Sequence, residues 1–379
     1  MPVELLFWSS LLFVFYAYGG YPLVLWTLTK VRNRAVLRAD IFPSVSFIIT
    51  AYNEDKRIRE KLDNTLRQDY PKDLLEITVA SDASTDRTDA IVEEYRASRI
   101  RLIRAPERKG KENAQRHAIE AASGEILVFS DVGTMLDPNG IRNIVRNFND
   151  PTVGCVSSID RLIDASGTLS GEGAYVRYEM ALRSLESRAN TLVGLSGSFF
   201  AARREVCQPW ATDLQSDFNT LLNSVRRGVR GVLDTESIGY YKNIADESKE
   251  YDRKIRTVVR GIHVVMRHLS FLNPLQYGLF SWQLFSHKLC RWLVPFGMIS
   301  VFLTNLILLP YSAAYRLLFA IQICFYIVAI MGICLGHTMN RSFLRIPAFF
   351  LVVNLSILHA WYRYLIKGEQ IVGWEPSVR

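Results

Sequence analysis

The chain has 379 residues, 49% of them hydrophobic, and carries 45 Lys and Arg against 37 Asp and Glu for a net charge of +8. Much of the basic excess flanks apolar segments, which points to anionic lipid heads and nucleotide phosphates; no nucleic-acid-binding motif is present. The five cysteines, Cys155, Cys207, Cys290, Cys324 and Cys334, form no CxxC pair, so neither a disulfide framework nor a zinc site is expected.

Apolar residues are segregated into long runs at both ends around a mixed polar middle, the pattern of a soluble domain tethered by its termini. Leu5 to Leu28 is long enough to cross a bilayer and is followed by Lys30, Arg32, Arg34 and Arg38. This predicts an anchor over residues 1–30 with the next domain in the cytoplasm. A cleaved signal peptide does not fit, because the run is too long, the basic residues lie behind it and no small-residue cleavage site follows.

Pro43 opens a β-branched and aromatic strand, Val45 to Thr50, ending in Ala51-Tyr52-Asn53-Glu54, and Ile58, Leu62 and Leu66 then repeat at helical spacing. A second strand, Leu74 to Ala80, leads to the turn Ser81-Asp82-Ala83-Ser84-Thr85-Asp86, where Thr85 or Asp86 can cap a helix starting near Thr88. The third strand is Ile100 to Arg104. A basic loop, Arg108-Lys109-Gly110-Lys111, enters the helix Glu112 to Ala122, and Ile126 starts a fourth strand that breaks at Ser130-Asp131-Val132-Gly133.

Strands alternating with helices imply right-handed crossovers and a mostly parallel sheet, so four strand ends converge on one edge. They bring Tyr52 and Glu54, Asp82, the loop of Lys111, and Asp131. A nucleotide diphosphate held through a divalent cation needs this mixture: carboxylate oxygens for the metal, cations for the phosphates. Plainer readings stay open, with Asp82 and Asp86 as turn and cap residues and Lys109 and Lys111 as a solvated charge run. Asp131 is different, because an acid directly after a buried strand costs stability unless it caps or binds something.

PSVSFIITAYNE, VASDASTD, RKGKENAQ and ILVFSDVG, in that order, resemble the successive motifs of family 2 glycosyltransferases over about residues 43–261. The resemblance, which extends to bacterial polysaccharide synthases, implies a GT-A fold, a nucleotide-diphosphate sugar donor and Mg²⁺ or Mn²⁺. By it Ala51, Tyr52, Glu54 and Asp82 hold the nucleoside, Lys111 lies near the base or phosphates, and Asp131 contacts the metal and the pyrophosphate. The family's metal motif usually has two acids separated by one residue. Here Gly133 takes the second position, so the ion would draw other ligands from the donor's phosphates and water.

Farther along, Ile141 to Phe148 has helical spacing, Val153 to Ser158 reads as a strand, and Glu172 to Arg188 as an amphipathic helix covering the sheet. The loop Gly194-Leu195-Ser196-Gly197-Ser198 resembles the family's acceptor loop, implying acceptor contacts at Gly194, Ser196 and Gly197. Leu214-Gln215-Ser216-Asp217-Phe218-Asn219 matches the place of the catalytic base. Asp217 opens a helix through Leu222 and Val225, and a helix N-terminus lowers a carboxylate's pKa; an N-cap role fits it equally. Of Arg253-Lys254-Ile255-Arg256-Thr257, where the family often has glutamine, two variable residues, arginine and tryptophan, only Arg256 carries over directly, as a partner for the departing pyrophosphate. Arg253 takes the glutamine's place on the donor side. A basic helix before a membrane segment also rests on lipid head groups, and both readings stay open.

An interfacial segment is expected over residues 262–290, from the mixed run Pro274 to Leu289, and spanning segments within 291–366 at Arg291 to Pro310, Leu317 to Leu335 and Ile346 to Ile366. Three crossings place the C-terminus outside, whereas Arg363, Lys367 and Arg379 favour an inside end. In the tail 367–379, Trp374-Glu375-Pro376-Ser377-Val378-Arg379 resembles the gating motif of related membrane synthases, with Trp374 and Arg379 reaching the donor. If it gates from the cytoplasm, one segment is re-entrant, and the last, interrupted by Pro347, Asn354, His359 and Arg363, is the weakest.

The expectation is an α/β protein, a GT-A domain between N- and C-terminal transmembrane helices in the inner membrane, catalytic side cytoplasmic. The expected reaction is inverting transfer to a hydroxyl of a lipid-linked or polysaccharide acceptor, with Asp217 as base. Two alternatives stand beside it. One is transfer to a polyprenyl phosphate, which needs no base; the other is a catalytically silent sugar-nucleotide-binding subunit of a polysaccharide assembly complex, for which Gly133 and Thr257 speak.

Overall fold

The computed structural model describes residues 2–163, 174–242, 247–335 and 342–366. Helices α1 (Pro2–Phe15) and α2 (Tyr21–Val31) are joined by a π-helical turn, Tyr16–Gly20, into one apolar run. The sheet then begins with β1 (Val45–Ala51), β2 (Leu75–Ser81), β3 (Ile100–Arg104) and β4 (Ile126–Asp131), separated by α3 (Ile58–Leu66), α4 (Thr88–Glu94) and α5 (Lys111–Ala121). Every residue of β1 is buried, as expected of a parallel strand covered on both faces. Its alternation divides two cores: Ile48 packs with Leu127, Phe129 and Leu221 on one face, Phe47 and Ile49 with Leu62, Ile91 and Ile141 on the other.

β5 (Met135–Leu136), α6 (Gly140–Val145), β6 (Val153–Ile163), α7 (Ala174–Ala189), β7 (Phe199–Arg203), α8 (Ser216–Arg226) and β8 (Arg230–Lys242) complete the domain. The eight strands form one sheet in the order β3-β2-β1-β4-β7-β6-β8-β5. β1 through β4 pair in parallel as expected. β7 then runs antiparallel to both β4 and β6. The sequence reading holds no strand at Phe199–Arg203 or Arg230–Lys242. In β8 the polar run Asp234-Thr235-Glu236-Ser237 hides the strand signal, and pairing with β6 decides the conformation.

Arg230 begins β8 fully enclosed: it pairs with Asp150 at 3.0 Å and donates to the carbonyls of Arg34 at 2.8 Å and Ala35 at 3.1 Å. It thereby ties the chain after α2 to the sheet. Arg230→Met leaves Asp150 buried without its partner and is expected to cost about 3–5 kcal/mol, read as a lowered unfolding midpoint in detergent.

After the sheet come α9 (Glu247–Arg267), α10 (Pro274–Tyr277), α11 (Leu279–Leu284), a π-helical turn at Phe285–Cys290, α12 (Arg291–Leu308), α13 (Ala313–Leu335) and α14 (Ser342–Ile366). Among the described residues four helices are long and apolar enough to cross a membrane: Pro2–Val31, Leu279–Leu308, Ala313–Leu335 and Leu344–Ile366. The second begins at Leu279 instead of Arg291, because the π-turn carries the helix through His287 and Lys288 without a break. Pro347 does not interrupt α14 either. α14 lies against α13 at Gly332, where a Cβ would come within 2.5 Å of the Leu344 carbonyl oxygen, so only a glycine permits that approach. Trp292 and Ile357 join the core of β4 and β7, which docks these helices on the domain.

Candidate active site

Two turns at the carboxyl edge of the sheet are tied together. Asn53 has φ 51° and its side-chain oxygen accepts from the Thr85 amide at 2.8 Å, while Glu54 N–H donates to Thr88 Oγ1 at 2.7 Å. Asp86 accepts from the amides of Asp55 at 3.0 Å and Thr88 at 2.9 Å, the turn-and-cap role. Ala51 is buried at the end of β1, and Tyr52 lies under the Arg108 guanidinium, 4.0 Å from its ring centroid.

Asp82 is fully buried and accepts from the amides of Lys109 at 3.0 Å and Gly110 at 2.9 Å. Gly110 has φ 98°, which admits glycine there and little else. Burial raises the Asp82 pKa while the two amides oppose the rise. Its carboxylate thus shapes the basic loop and aims the next residue, Lys111. Glu54 is likewise engaged, in a two-pronged pair with Arg57 (Nε to Oε2 and Nη2 to Oε1, each 2.7 Å).

Lys111 crosses the site. Its ammonium donates to Asp131 Oδ1 at 2.5 Å and to the Gly197 carbonyl at 2.9 Å. Asp131 N–H in turn donates to the Ser198 carbonyl at 3.0 Å, so the end of β4 and the 194–198 loop are locked side by side. Asp217 completes the group: a Cβ on Gly197 would stand 3.1 Å from Asp217 Oδ2. Gln215 Nε2 donates to that oxygen at 3.2 Å. Burial raises the Asp217 pKa, with Lys111 and then Arg260 pulling it down. The lowering expected of a helix N-terminus is therefore outweighed by desolvation.

Three residues here carried no role in the sequence reading. Asp160 holds the 194–198 loop, accepting from Ser196 Oγ at 2.7 Å and Ser198 Oγ at 2.5 Å. Arg260 pairs with buried Glu112 beside Asp217. Arg256 and Arg253 lie on the same helix one and two turns earlier, both half-buried. Lys61 is fully buried beneath Asp131, donating to Ser130 Oγ at 2.8 Å and the Thr134 carbonyl at 2.5 Å. Its signal was legible: with Ile58, Leu62 and Thr65 it lies on the buried face of α3. Trp374 and Arg379 lie outside the described residues.

Glycosyl transferase family 2 matches residues 46–209, which contain the four converging strand ends and the 194–198 loop. Residues 46–209 thus form a family 2 glycosyltransferase domain. Over 177 residues it is 30% identical to hyaluronan synthase of Streptococcus pyogenes, covering 44% of this chain and 42% of that one. Over 178 residues it is 26% identical to poly-beta-1,6-N-acetyl-D-glucosamine synthase of Staphylococcus epidermidis, covering 45% and 42%. The chain thus spans less than half the length of these curated relatives. A solved mannosyltransferase from Pyrobaculum calidifontis, in complex with GDP-Man and Mn²⁺, shares the fold with a TM-score of 0.74, at 22% identity over 97% of this chain and 100% of its own.

Within the glycosyltransferase domain the second position of the metal motif is open. A Cβ on Gly133 would stand an ordinary 3.4 Å from Arg57 Nη1, so a guanidinium flanks the place of the missing acid. Among the described residues no group of three His, Cys, Asp or Glu side chains is arranged to hold an ion. Asp131, about one-third exposed, fits as a single protein ligand to a cation such as Mg²⁺, which accepts phosphate oxygens and water for the rest. Lys111 competes for the same carboxylate.

Lys61 makes the stability of the domain pH-dependent. Burial brings its ammonium down to about 7, against the attraction of Asp131. An unfolded lysine titrates near about 10.4, so between these values the unfolded chain binds more protons and stability rises with pH. Lys61→Met is expected to flatten that rise, as followed by unfolding midpoints measured from neutral to alkaline pH.

Proposed function

We propose that the chain is a membrane-anchored inverting glycosyltransferase, with residues 43–261 facing the cytoplasm from the inner membrane and a nucleotide-diphosphate sugar as donor. The observation that carries this reading is the reach of Lys111 from Asp131 to the Gly197 carbonyl, next to Asp217. It joins the donor-side acid, the acceptor loop and a carboxylate in one site.

In this mechanism Asp217 takes the proton of the acceptor hydroxyl. The oxygen attacks the anomeric carbon from the side opposite the nucleotide, and the bond to the diphosphate breaks with its electron pair on the leaving oxygen. Lys111, with an arginine from α9 (Arg256, or Arg260 whose charge reaches Asp217), offsets the charge on the diphosphate. A divalent cation on Asp131, when bound, would neutralise the same group. The names of two of these relatives, both polysaccharide synthases, support a polysaccharide acceptor; a lipid-linked one is the alternative. Full-length protein in detergent, given a panel of nucleotide sugars with Mg²⁺ or Mn²⁺, should release nucleoside diphosphate and form a product of inverted anomeric configuration. Binding without release would identify a silent subunit instead, and retained configuration would remove the single-displacement mechanism.

A further inference from the structure

The apolar run Leu279–Leu308 touches the glycosyltransferase domain through the π-turn that contains Lys288. Such turns recur at functional sites, because the extra residue re-aims a side chain. Lys288 leaves its helix toward the acceptor side. Its ammonium is 5.4 Å from the centroid of Phe218, the residue after Asp217, and 3.7 Å from where a Cβ on Gly194 would stand. Among the described residues it has neither a hydrogen bond nor an ion pair.

Four acids face these two cations, Glu179, Glu186, Asp160 and Asp217, and all have other partners, although Glu186 Oε2 is buried with no hydrogen bond among the described residues. Glu179 pairs with Arg291 and stands 3.6 Å from His287, while Glu186 accepts from Tyr21 at 2.7 Å and contacts His287 Nδ1 at 2.6 Å. From α7, Arg183 Nη2 donates to the Gly194 carbonyl of the 194–198 loop at 3.3 Å and to Ser157 Oγ of β6 at 2.5 Å. Its other nitrogens make no hydrogen bond among the described residues. A lysine ammonium offers three donors, and an ionisable group within an apolar helix run is retained where it meets a partner.

The geometry points to a phosphate site between Lys288 and Arg183, at the edge of the acceptor loop, for a phosphate carried by a lipid. The apolar helix run receives the hydrocarbon chain, the two cations receive the phosphate, and Asp217, at the start of α8, lies beyond Gly197 of that loop. This inference deepens the sugar-transfer reading and rests on it.

The test uses the full chain in detergent with farnesyl phosphate, farnesol and inorganic phosphate as probes, and UDP and GDP titrated in the same samples. Farnesyl phosphate should bind about tenfold or more tightly than farnesol. Lys288→Met and Arg183→Met should each shrink that preference, Lys288→Arg should keep it, and nucleoside-diphosphate affinity should not change in the Lys288 variants. Equal binding of farnesyl phosphate and farnesol by the wild type, or an undiminished preference in Lys288→Met, overturns the site. Inorganic phosphate binding as tightly as farnesyl phosphate makes it a free-phosphate site and overturns the lipid assignment. Absence of UDP and GDP binding would count against the sugar-transfer reading itself, whereas nucleotide binding without lipid preference defeats this inference alone.

Discussion

Asp217→Asn should lower sugar transfer by about 10²–10⁴-fold, the contribution of a positioned general base, and leave nucleoside-diphosphate binding intact. The amide keeps the shape of the carboxylate next to Gly197 and Gln215 but cannot take a proton. Because burial raises the Asp217 pKa, wild-type activity should fall on acidification at a pH above the ordinary aspartate range, about 3.9 for a free side chain. Stability follows the opposite sense. A carboxyl whose folded pKa is raised binds its proton more tightly in the folded chain, so stability is lost as pH rises through the folded value. Once ionised, the buried Asp217 is therefore a burden, and the Asn variant should melt at a higher temperature. Unchanged turnover in Asp217→Asn, measured as nucleoside-diphosphate release with an acceptor hydroxyl, would remove the base from the mechanism.

Lys111→Met should weaken nucleoside-diphosphate binding by about ten- to a hundredfold, the range for a hydrogen bond to a charged group. It also alters the metal response in an informative direction. Lys111 occupies Asp131 Oδ1 at 2.5 Å, so its removal frees that oxygen for a cation. The Mn²⁺ concentration for half-maximal activity should then fall even as total activity drops. An unchanged nucleotide affinity together with an unchanged metal curve would mean that the lysine only braces the loop.

Much of this site was legible in the sequence because parallel strands obey strict rules. Alternating β-branched runs and helical spacings predict β1 through β4, and right-handed crossovers put Tyr52, Asp82, Lys111 and Asp131 on one edge whatever the loops do. What those side chains contact was not legible. Asp82 and Glu54, expected on the donor, also hold the Lys109-Gly110 amides and Arg57. Their partners lie close in space and face the same edge, but a charge at a strand end reads alike whether it meets a ligand or a neighbouring loop.

The amino-acid order by itself determined the four parallel strands, the apolar helices at either end and the motif run of the family 2 domain, since these depend on local periodicity and composition. Only the tertiary structure decided that β7 reverses the sheet, that the charge of Arg260 reaches Asp217, that Lys61 lies beneath Asp131, and that Lys288 reaches from an apolar helix to the 194–198 loop. Each of these depends on contacts between residues far apart in the chain. There, burial and charge set a side chain's role, and neither is written in its immediate neighbours.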